Sequence, residues 1–285
     1  LPAERPMPAH VRCRSAVLLV IDGLRPDAIQ PDTMPALRAL RDRHWSAAHA
    51  TTVAPSITVA ALTSLATGVG PEAHGLIAPG LRSLGRLRGL IPLPVQLQRH
   101  GVPTAIVTSA LPATRQIIAR ALIAAAGGAE LRCAGDDPTS VGAAAVAMTR
   151  RTGPHLTVAY VNDCDAAGHA HGWMSDAYLD AAVRCDGAVA LLSALAEEDG
   201  ALLCVTADHG GGGVHPTDHD LPHPVNSAIP LILAGTGVRG RSLSDRSASL
   251  LDIPPTLLSA LGVPVPATYE GRELAEAFRP AAAAA

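Results

Sequence analysis

The chain has 285 residues and a formal net charge of −3, and 48% of its residues are apolar although only 2% are aromatic. This apolar fraction is enough for a sizeable core. Because aromatic residues are so few, we expect a core of Ala, Val, Leu and Ile, as in buried parallel strands and the helices that cover them. A module that binds nucleic acid would carry a basic patch, so no nucleic-acid polymer is expected as a partner. No apolar run is long enough to span a membrane, and no membrane partner is expected either.

Apolar runs alternate with amphipathic stretches along most of the chain. Strands are predicted over 16–21, 103–109, 156–161, 201–206 and 230–234. Helices are predicted over 33–43, 58–66, 113–126, 175–198 and 249–261. This alternation predicts an α/β fold, a three-layer sandwich in which helices cover both faces of a mostly parallel central sheet.

No shift in composition marks a linker inside the chain. We therefore predict one α/β domain over 15–278, with an N-terminal extension over 1–14 and an Ala-rich tail over 279–285. The five cysteines include no C-x-x-C pair, and an odd number cannot pair fully. Free thiols suit a reducing compartment, so a cytoplasmic location is expected. The N-terminal residues lack the apolar stretch of a signal peptide, but the chain starts at Leu1, and an exported form stays open.

Polar side chains follow three of the predicted strands. Asp22 follows the first strand, Asp165 lies just after 156–161, and Asp208 and His209 follow 201–206. In open α/β sheets, ligands bind at the carboxyl ends of the strands. We therefore expect these side chains to converge in space.

Two of these clusters suit a metal ion. Asp165 and His169 are four residues apart around a glycine, and a carboxylate with an imidazole suits zinc, although a polar loop with a helix cap is the alternative. Glycines follow Asp208 and His209, and three further histidines lie within nine residues, at 215, 219 and 223. Histidines are costly to bury unpaired, so this segment is either a metal site or a solvated loop.

Thr58 opens a predicted helix. A hydroxyl at that position is usually a cap. The same geometry also forms an anion site, where a threonine oxygen can attack phosphorus if a metal lowers its pKa.

Taken in order, these segments resemble the alkaline phosphatase superfamily, and most closely its nucleotide pyrophosphatase/phosphodiesterase and phosphonoacetate hydrolase branch. The resemblance spans about 15–265 and rests on five blocks in a specific order, which a sixth segment over 229–238 completes. The matching segments are 18–27, 55–68, 71–75, 165–169, 208–210 and 229–238.

The resemblance implies two zinc ions per chain, with manganese as a possible substitute. One ion would be held by Asp22, Asp208, His209 and the oxygen of Thr58. The other would be held by Asp165, His169 and a third histidine, for which His219 has the spacing to the strand at 230 and His215 and His223 are the alternatives.

The same resemblance implies a hydrolase of phosphate mono- or diesters that works through a phosphothreonine at Thr58. Related oxyanion esters, phosphonate or sulfate, are alternative substrates, and a non-catalytic module that binds metal or phosphate esters is the alternative outside enzymes. The C/S-x-P-x-R block of a sulfatase is not visible. An asparagine that usually follows the segment 71–75 is missing, and one of Arg82, Arg86 and Arg88 is expected to bind the phosphoryl oxygens in its place. Arg82 is favoured because it is nearest to the turn at Gly75. The oligomeric state is not predicted.

Overall fold

A computed structural model describes residues 4–5, 13–77, 89–110, 116, 120, 123, 129–151, 155–235, 237–240, 242–244 and 246–279. The strands within them are β1 (Ser15–Ile21), β2 (Trp45–Ala47), β3 (Ala50–Thr51), β4 (Thr104–Thr108), β5 (Glu130–Cys133), β6 (His155–Val161), β7 (Leu202–Thr206), β8 (Leu231–Ala234), β9 (Ser242–Ser244) and β10 (Ala248–Ser249). The α-helices are α1 (Pro35–Arg43), α2 (Thr58–Thr67), α3 (Pro71–His74), α4 (Leu93–Arg99), α5 (Pro138–Thr149), α6 (Asp163–His171), α7 (Asp176–Glu198), α8 (Pro224–Ser227) and α9 (Ile253–Ala260).

Eight strands form the central sheet, in the order β5-β4-β6-β1-β7-β8-β2-β9. The five strands from β5 to β7 are parallel. β8 runs antiparallel to both of its neighbours, β7 and β2. β1 lies at the centre and six of its seven residues are buried, because a strand covered on both faces needs a continuous apolar run.

Helices flank this sheet in two packed groups. One group consists of α1, α5 and α7, and the other of α2, α4 and α9. The predicted α/β fold with a mostly parallel central sheet is therefore confirmed. No helix in the described part of the chain is both long and apolar enough to cross a membrane.

Most predicted elements are present, with shifted ends. The predicted helix over 33–43 starts only at Pro35, since proline is favoured in the first helical turn. The predicted closing helix over 249–261 was too long, because its first turn is a 3-10 turn, Leu250–Asp252, that precedes α9. β5 and α5 were not predicted. Most of the predicted helix over 113–126, of the extension over 1–14 and of the tail over 279–285 lies outside the described residues, so the single-domain boundaries stay a prediction.

The start of α1 is stabilised by a carboxylate from another helix. Met34, the residue before α1, provides no side-chain cap. Instead, Asp186 in the middle of α7 accepts hydrogen bonds from the N–H groups of Ala36 at 2.8 Å and Leu37 at 2.9 Å. A negative charge at a helix N-terminus also interacts favourably with the helix dipole. Asp186 therefore fixes α1 on α7.

We expect Asp186→Ala to lower the free energy of unfolding by roughly 2 kcal/mol, because it leaves the buried N–H of Leu37 and the partly buried N–H of Ala36 without an acceptor. Asp186→Asn should cost less, since one oxygen remains to accept. Urea denaturation is the measurement, and Asp180→Ala on an exposed turn of the same helix is the matched control. Equal stability of the two alanine variants would contradict a capping role for Asp186.

Candidate metal centre

The first group of possible metal ligands lies at the carboxyl ends of β1 and β7. It consists of Asp22, Asp208 and His209, whose ligand atoms all lie within 4.8 Å of one another. His209 Nε2 is 3.3 Å from Asp22 Oδ1 and 3.5 Å from Asp208 Oδ2. All three side chains are buried. Parallel strands bring these residues together because Val20 of β1 is in register with Thr206 of β7.

The second group follows β6 and consists of Asp165, His169 and His219, again within 4.8 Å. Asp165 and His169 lie one turn apart on α6, so the segment is helical and not the polar loop that was the alternative. His169 Nε2 is 3.4 Å and His219 Nε2 is 3.7 Å from Asp165 Oδ1. The i, i+4 spacing puts the first two side chains on one face of the helix.

The two groups adjoin each other. The imidazole rings of His209 and His219 stack with their centroids 3.8 Å apart and their planes inclined by 17°. The N–H of Asp165 also donates to the carbonyl of Asp22 at 3.0 Å. The six residues therefore form one continuous polar centre at the edge of the sheet.

Thr58 lies against the first group as the first residue of α2. Its Oγ1 is 3.1 Å from His209 Nε2. The preceding turn is fixed by two bonds between Ser56 and His219: Ser56 Oγ donates to the carbonyl of His219 at 3.0 Å, and His219 Nδ1 lies 2.8 Å from the carbonyl of Ser56. The start of α2 and the second group are thus held in a fixed relation.

The three histidines share the same hydrogen-bonding state. Their Nδ1 atoms lie 2.8 to 3.0 Å from backbone carbonyl oxygens, those of Gly210, Thr217 and Ser56 for His209, His169 and His219. A carbonyl only accepts, so each Nδ1 donates its hydrogen there and each Nε2 is the ring nitrogen that faces the centre. Metal-binding histidines are typically oriented in this way.

The carboxylates of the centre lack hydrogen-bond donors for some of their oxygens. Asp22 Oδ1, Asp165 Oδ1 and Asp208 Oδ2 are buried and accept no hydrogen bond. Burial, together with the charges of Asp208 and Asp165, raises the pKa of Asp22 well above its usual range. Burial raises the pKa of Asp208 from 3.8 to about 6. Divalent cations would offset the free-energy cost of burying these carboxylate charges, and the mixed oxygen and nitrogen donors fit zinc.

Trp173, which sequence reasoning did not identify, supports both groups. Its ring packs against His169 and His219 at centroid distances of 5.1 and 5.6 Å. Its Nε1–H donates to the carbonyl of Gly23, next to Asp22, at 2.9 Å. The ring occupies the space beside Gly168 and Gly211, where a Cβ would approach it to 2.6 and 2.1 Å. The one available signal was a rare tryptophan close after His169, among only two in the chain.

The remaining candidates lie elsewhere. His215 is exposed, and His223 Nδ1 accepts from the N–H of Val225 at 3.3 Å before α8, so neither joins a metal group among the described residues. The geometry therefore places His219, and not its alternatives, beside Asp165; its role as a ligand stays a prediction. Arg82, Arg86 and Arg88 lie outside the described residues.

A family model describes type I phosphodiesterases and nucleotide pyrophosphatases, and it matches residues 16–83 and 114–235. The matched ranges cover more than half of the chain and contain both metal groups and Thr58. The chain belongs to this family. The predicted resemblance to the phosphodiesterase branch of the alkaline phosphatase superfamily is thereby confirmed.

Solved structures share the fold of this phosphodiesterase-family chain at low sequence identity. A 2-O GAG sulfatase matches with a TM-score of 0.73 at 15% identity, over 96% of this chain and 74% of the sulfatase chain. An alkaline phosphatase superfamily protein of Vibrio parahaemolyticus matches with a TM-score of 0.71 at 17% identity, over 99% of this chain and 73% of that protein. Murine ectonucleotide pyrophosphatase/phosphodiesterase 5, an inactive threonine-to-alanine variant in complex with AMP, matches with a TM-score of 0.71 at 13% identity. The match covers 93% of this chain and 99% of the murine chain.

Two curated proteins are similar over shorter stretches. Both are 2,3-bisphosphoglycerate-independent phosphoglycerate mutases. That of Saccharophagus degradans is 36% identical over 116 residues, 40% of this chain and 22% of the mutase. That of Caenorhabditis elegans is 29% identical over 103 residues, 35% of this chain and 19% of the mutase. The similarity thus spans about a fifth of the length of these relatives.

We expect Asp208→Asn to stabilise the metal-free protein at pH 8 by about 2 kcal/mol, because it removes a buried charge. The folded-state pKa of Asp208 is raised to about 6, so its contribution to stability is full below pH 3.8 and is lost as the pH rises through about 6. Urea denaturation in chelator at pH 5 and pH 8 is the measurement. Zinc should reverse the order, and a metal-free variant less stable than the wild type at pH 8 would contradict this account of the centre.

We expect Trp173→Phe to weaken zinc binding by about tenfold, because the phenyl ring fills less space and cannot donate to Gly23. Competition with a chelator measures the affinity. Trp45→Phe is the matched control, since Trp45 is equally buried but lies on β2 outside both metal groups. Equal effects of the two substitutions on zinc affinity would make Trp173 an ordinary core residue.

Proposed function

We propose that the chain is a zinc-dependent hydrolase of phosphate esters, mono- or diesters, with Thr58 as its nucleophile. Manganese would be able to replace zinc. One ion would be held by Asp22, Asp208, His209 and the Thr58 oxygen. The other would be held by Asp165, His169 and His219. The observation that carries the proposal is the convergence of three imidazole Nε2 atoms and three unsatisfied carboxylate oxygens beside the Thr58 hydroxyl.

The chain's own residues account for the positioning of the ester. The N–H groups at the start of α2 have no partner within the helix and favour a negatively charged group beside Thr58. Ser56 and His219 hold this helix start in place through their two hydrogen bonds. When bound, the two ions would supply Lewis acidity and neutralise the charge on the phosphoryl oxygens.

The reaction takes two displacements at phosphorus. Thr58 Oγ1 forms a bond to phosphorus while the bond from phosphorus to the ester oxygen breaks, and the threonine proton leaves with the alcohol. Water then attacks the phosphothreonine, the bond from phosphorus to Oγ1 breaks, and Thr58 recovers its hydroxyl. Splitting one difficult step into two is the advantage of a covalent nucleophile.

The comparisons support this proposal in two ways. Membership of the phosphodiesterase family supports hydrolysis of phosphate esters. The murine neighbour is inactive when one threonine is alanine and binds AMP, which favours a threonine nucleophile and a small-molecule phosphate ester here.

A sulfate ester is the second candidate substrate. Several proteins of similar fold are sulfatases or putative sulfatases. A sulfuryl group is also a tetrahedral oxyanion, and a site built from metals and oriented dipoles stabilises its developing charge in the same way. Rates on matched aryl phosphomonoester, phosphodiester, phosphonate and sulfate substrates would rank these possibilities. No turnover of any of them by zinc-loaded protein would favour the non-catalytic binding module.

We expect Thr58→Ala to reduce turnover of the best aryl ester by about a thousandfold or more, because the attacking oxygen is removed. Thr58→Ser should stay within about tenfold of the wild type, since the hydroxyl remains. Zinc content and the unfolding midpoint should change little in either variant. Thr63→Ala on the same helix is the control, because that side chain makes no hydrogen bond to the metal groups. A Thr58→Ala rate close to that of Thr63→Ala would identify a different nucleophile.

A further inference from the structure

A cavity adjoins the metal centre without including a residue of either metal group. It has a volume of about 920 Å³ and is lined by residues of α1 and of the segments 26–29, 46–51 and 228–232. None of the residues that line it belongs to either metal group. Small-molecule sites typically have volumes of roughly 300–1,000 Å³, so this cavity is large enough for a complete metabolite.

The charge in this cavity is positive and incompletely balanced. Arg38 and Arg41 both line it, and Asp42 supplies the one carboxylate among the described lining residues. Asp42 already pairs with Arg38 at 2.8 Å. Arg41 forms no ion pair or hydrogen bond with any described residue and is half-buried.

The surroundings of Arg41 disfavour its charge. Burial and the neighbouring Arg38 guanidinium lower the pKa of Arg41 from its usual value. An anion bound at Arg41 would offset the effects of both burial and the neighbouring Arg38 charge. Because a guanidinium presents several N–H donors in one plane, it binds the oxygens of phosphate or carboxylate in pairs.

The remaining walls suit a body larger than a simple anion. Pro26, Ile29 and Pro230 contribute apolar residues to the lining, and Ser46 and His49 contribute polar residues. Inorganic phosphate would leave most of 920 Å³ unfilled. A phosphate joined to a flat, partly apolar body would use both kinds of wall.

The cavity and the metal centre approach each other at the backbone of Ala228. Ala228 lines the cavity, and its carbonyl oxygen lies 3.1 Å from where a Cβ on Gly210 would stand, next to His209. The two sites are therefore neighbours that share no side chain.

We propose that this cavity is a second binding site, separate from the metal centre, for a small organic phosphate such as a nucleoside monophosphate. Arg41, with Arg38 beside it, binds the phosphate, and the apolar walls at Pro26, Ile29 and Pro230 bind the body of the ligand. This site does not depend on the proposed hydrolysis.

The test is isothermal titration calorimetry of AMP into the zinc-loaded full chain with Thr58→Ala, which prevents turnover. We expect two AMP molecules per chain. Adding Arg41→Gln should weaken one binding event by at least tenfold and leave the other unchanged, whereas adding Asp208→Asn should do the reverse. Adenosine and inorganic phosphate should each bind the Arg41-dependent site at least tenfold more weakly than AMP.

Arg99→Gln is the matched control, because it removes one positive charge from an exposed position on α4. Arg41→Lys keeps the charge and should retain part of the affinity, which separates a lost contact from a misfolded variant. Binding of AMP that is unchanged by Arg41→Gln, or equally weakened by Arg99→Gln, overturns the proposal. A single binding event in the Thr58→Ala protein that depends on Arg41 and not on Asp208 would instead contradict the proposed metal centre and leave this second site standing.

Discussion

The hydrogen bond from a histidine Nδ1 to a backbone carbonyl is the interaction on which the metal centre depends. It occurs at His169, His209 and His219, and in each case it turns Nε2 toward the centre. The three carbonyls belong to the turn before α2, to the residue after His209 and to the loop after 210. The positions of these three carbonyl oxygens must therefore be fixed, because each of them sets the orientation of one imidazole ring. The packing of the surrounding fold fixes them.

Without bound metal ions, the buried carboxylates of the metal centre destabilise the folded protein. Asp22 and Asp208 are buried with raised pKa values, and each has an oxygen that accepts no hydrogen bond. Packing provides the compensation. The central strands bury a continuous apolar core, and Trp173 is held between the glycines at 168 and 211 with its N–H directed at Gly23. A site that is costly in charge is thus built where the surrounding structure is least able to relax, as is common at functional sites.

Local patterns in the sequence predicted the parts of the structure that depend on neighbouring residues. Buried strands, the helix that starts at Thr58 and the polar residues at strand ends all follow from short-range patterning, and the choice of His219 came from spacing within a family resemblance. The direction of β8 was not predictable, because four apolar residues look the same in a parallel and an antiparallel strand. The role of Trp173 was also hidden, since its partners at 23, 169, 211 and 219 come from distant parts of the chain. The Arg41 cavity likewise exists only after α1 and β2 are packed together.

The reversed direction of β8 has a consequence for how the segment between β7 and β8 can vary. A parallel strand in its place would require the chain to cross the sheet after β7 and return at the opposite edge. Because β8 is antiparallel, the segment between Thr206 and Leu231 leaves and re-enters the sheet at the same edge, with Thr206 directly opposite Leu231. Its ends are therefore fixed close together whatever its length, and lengthening such a loop costs little entropy. Insertions in its exposed stretch at 221–222, outside the contacts of Thr217 and His219, would leave every strand in place.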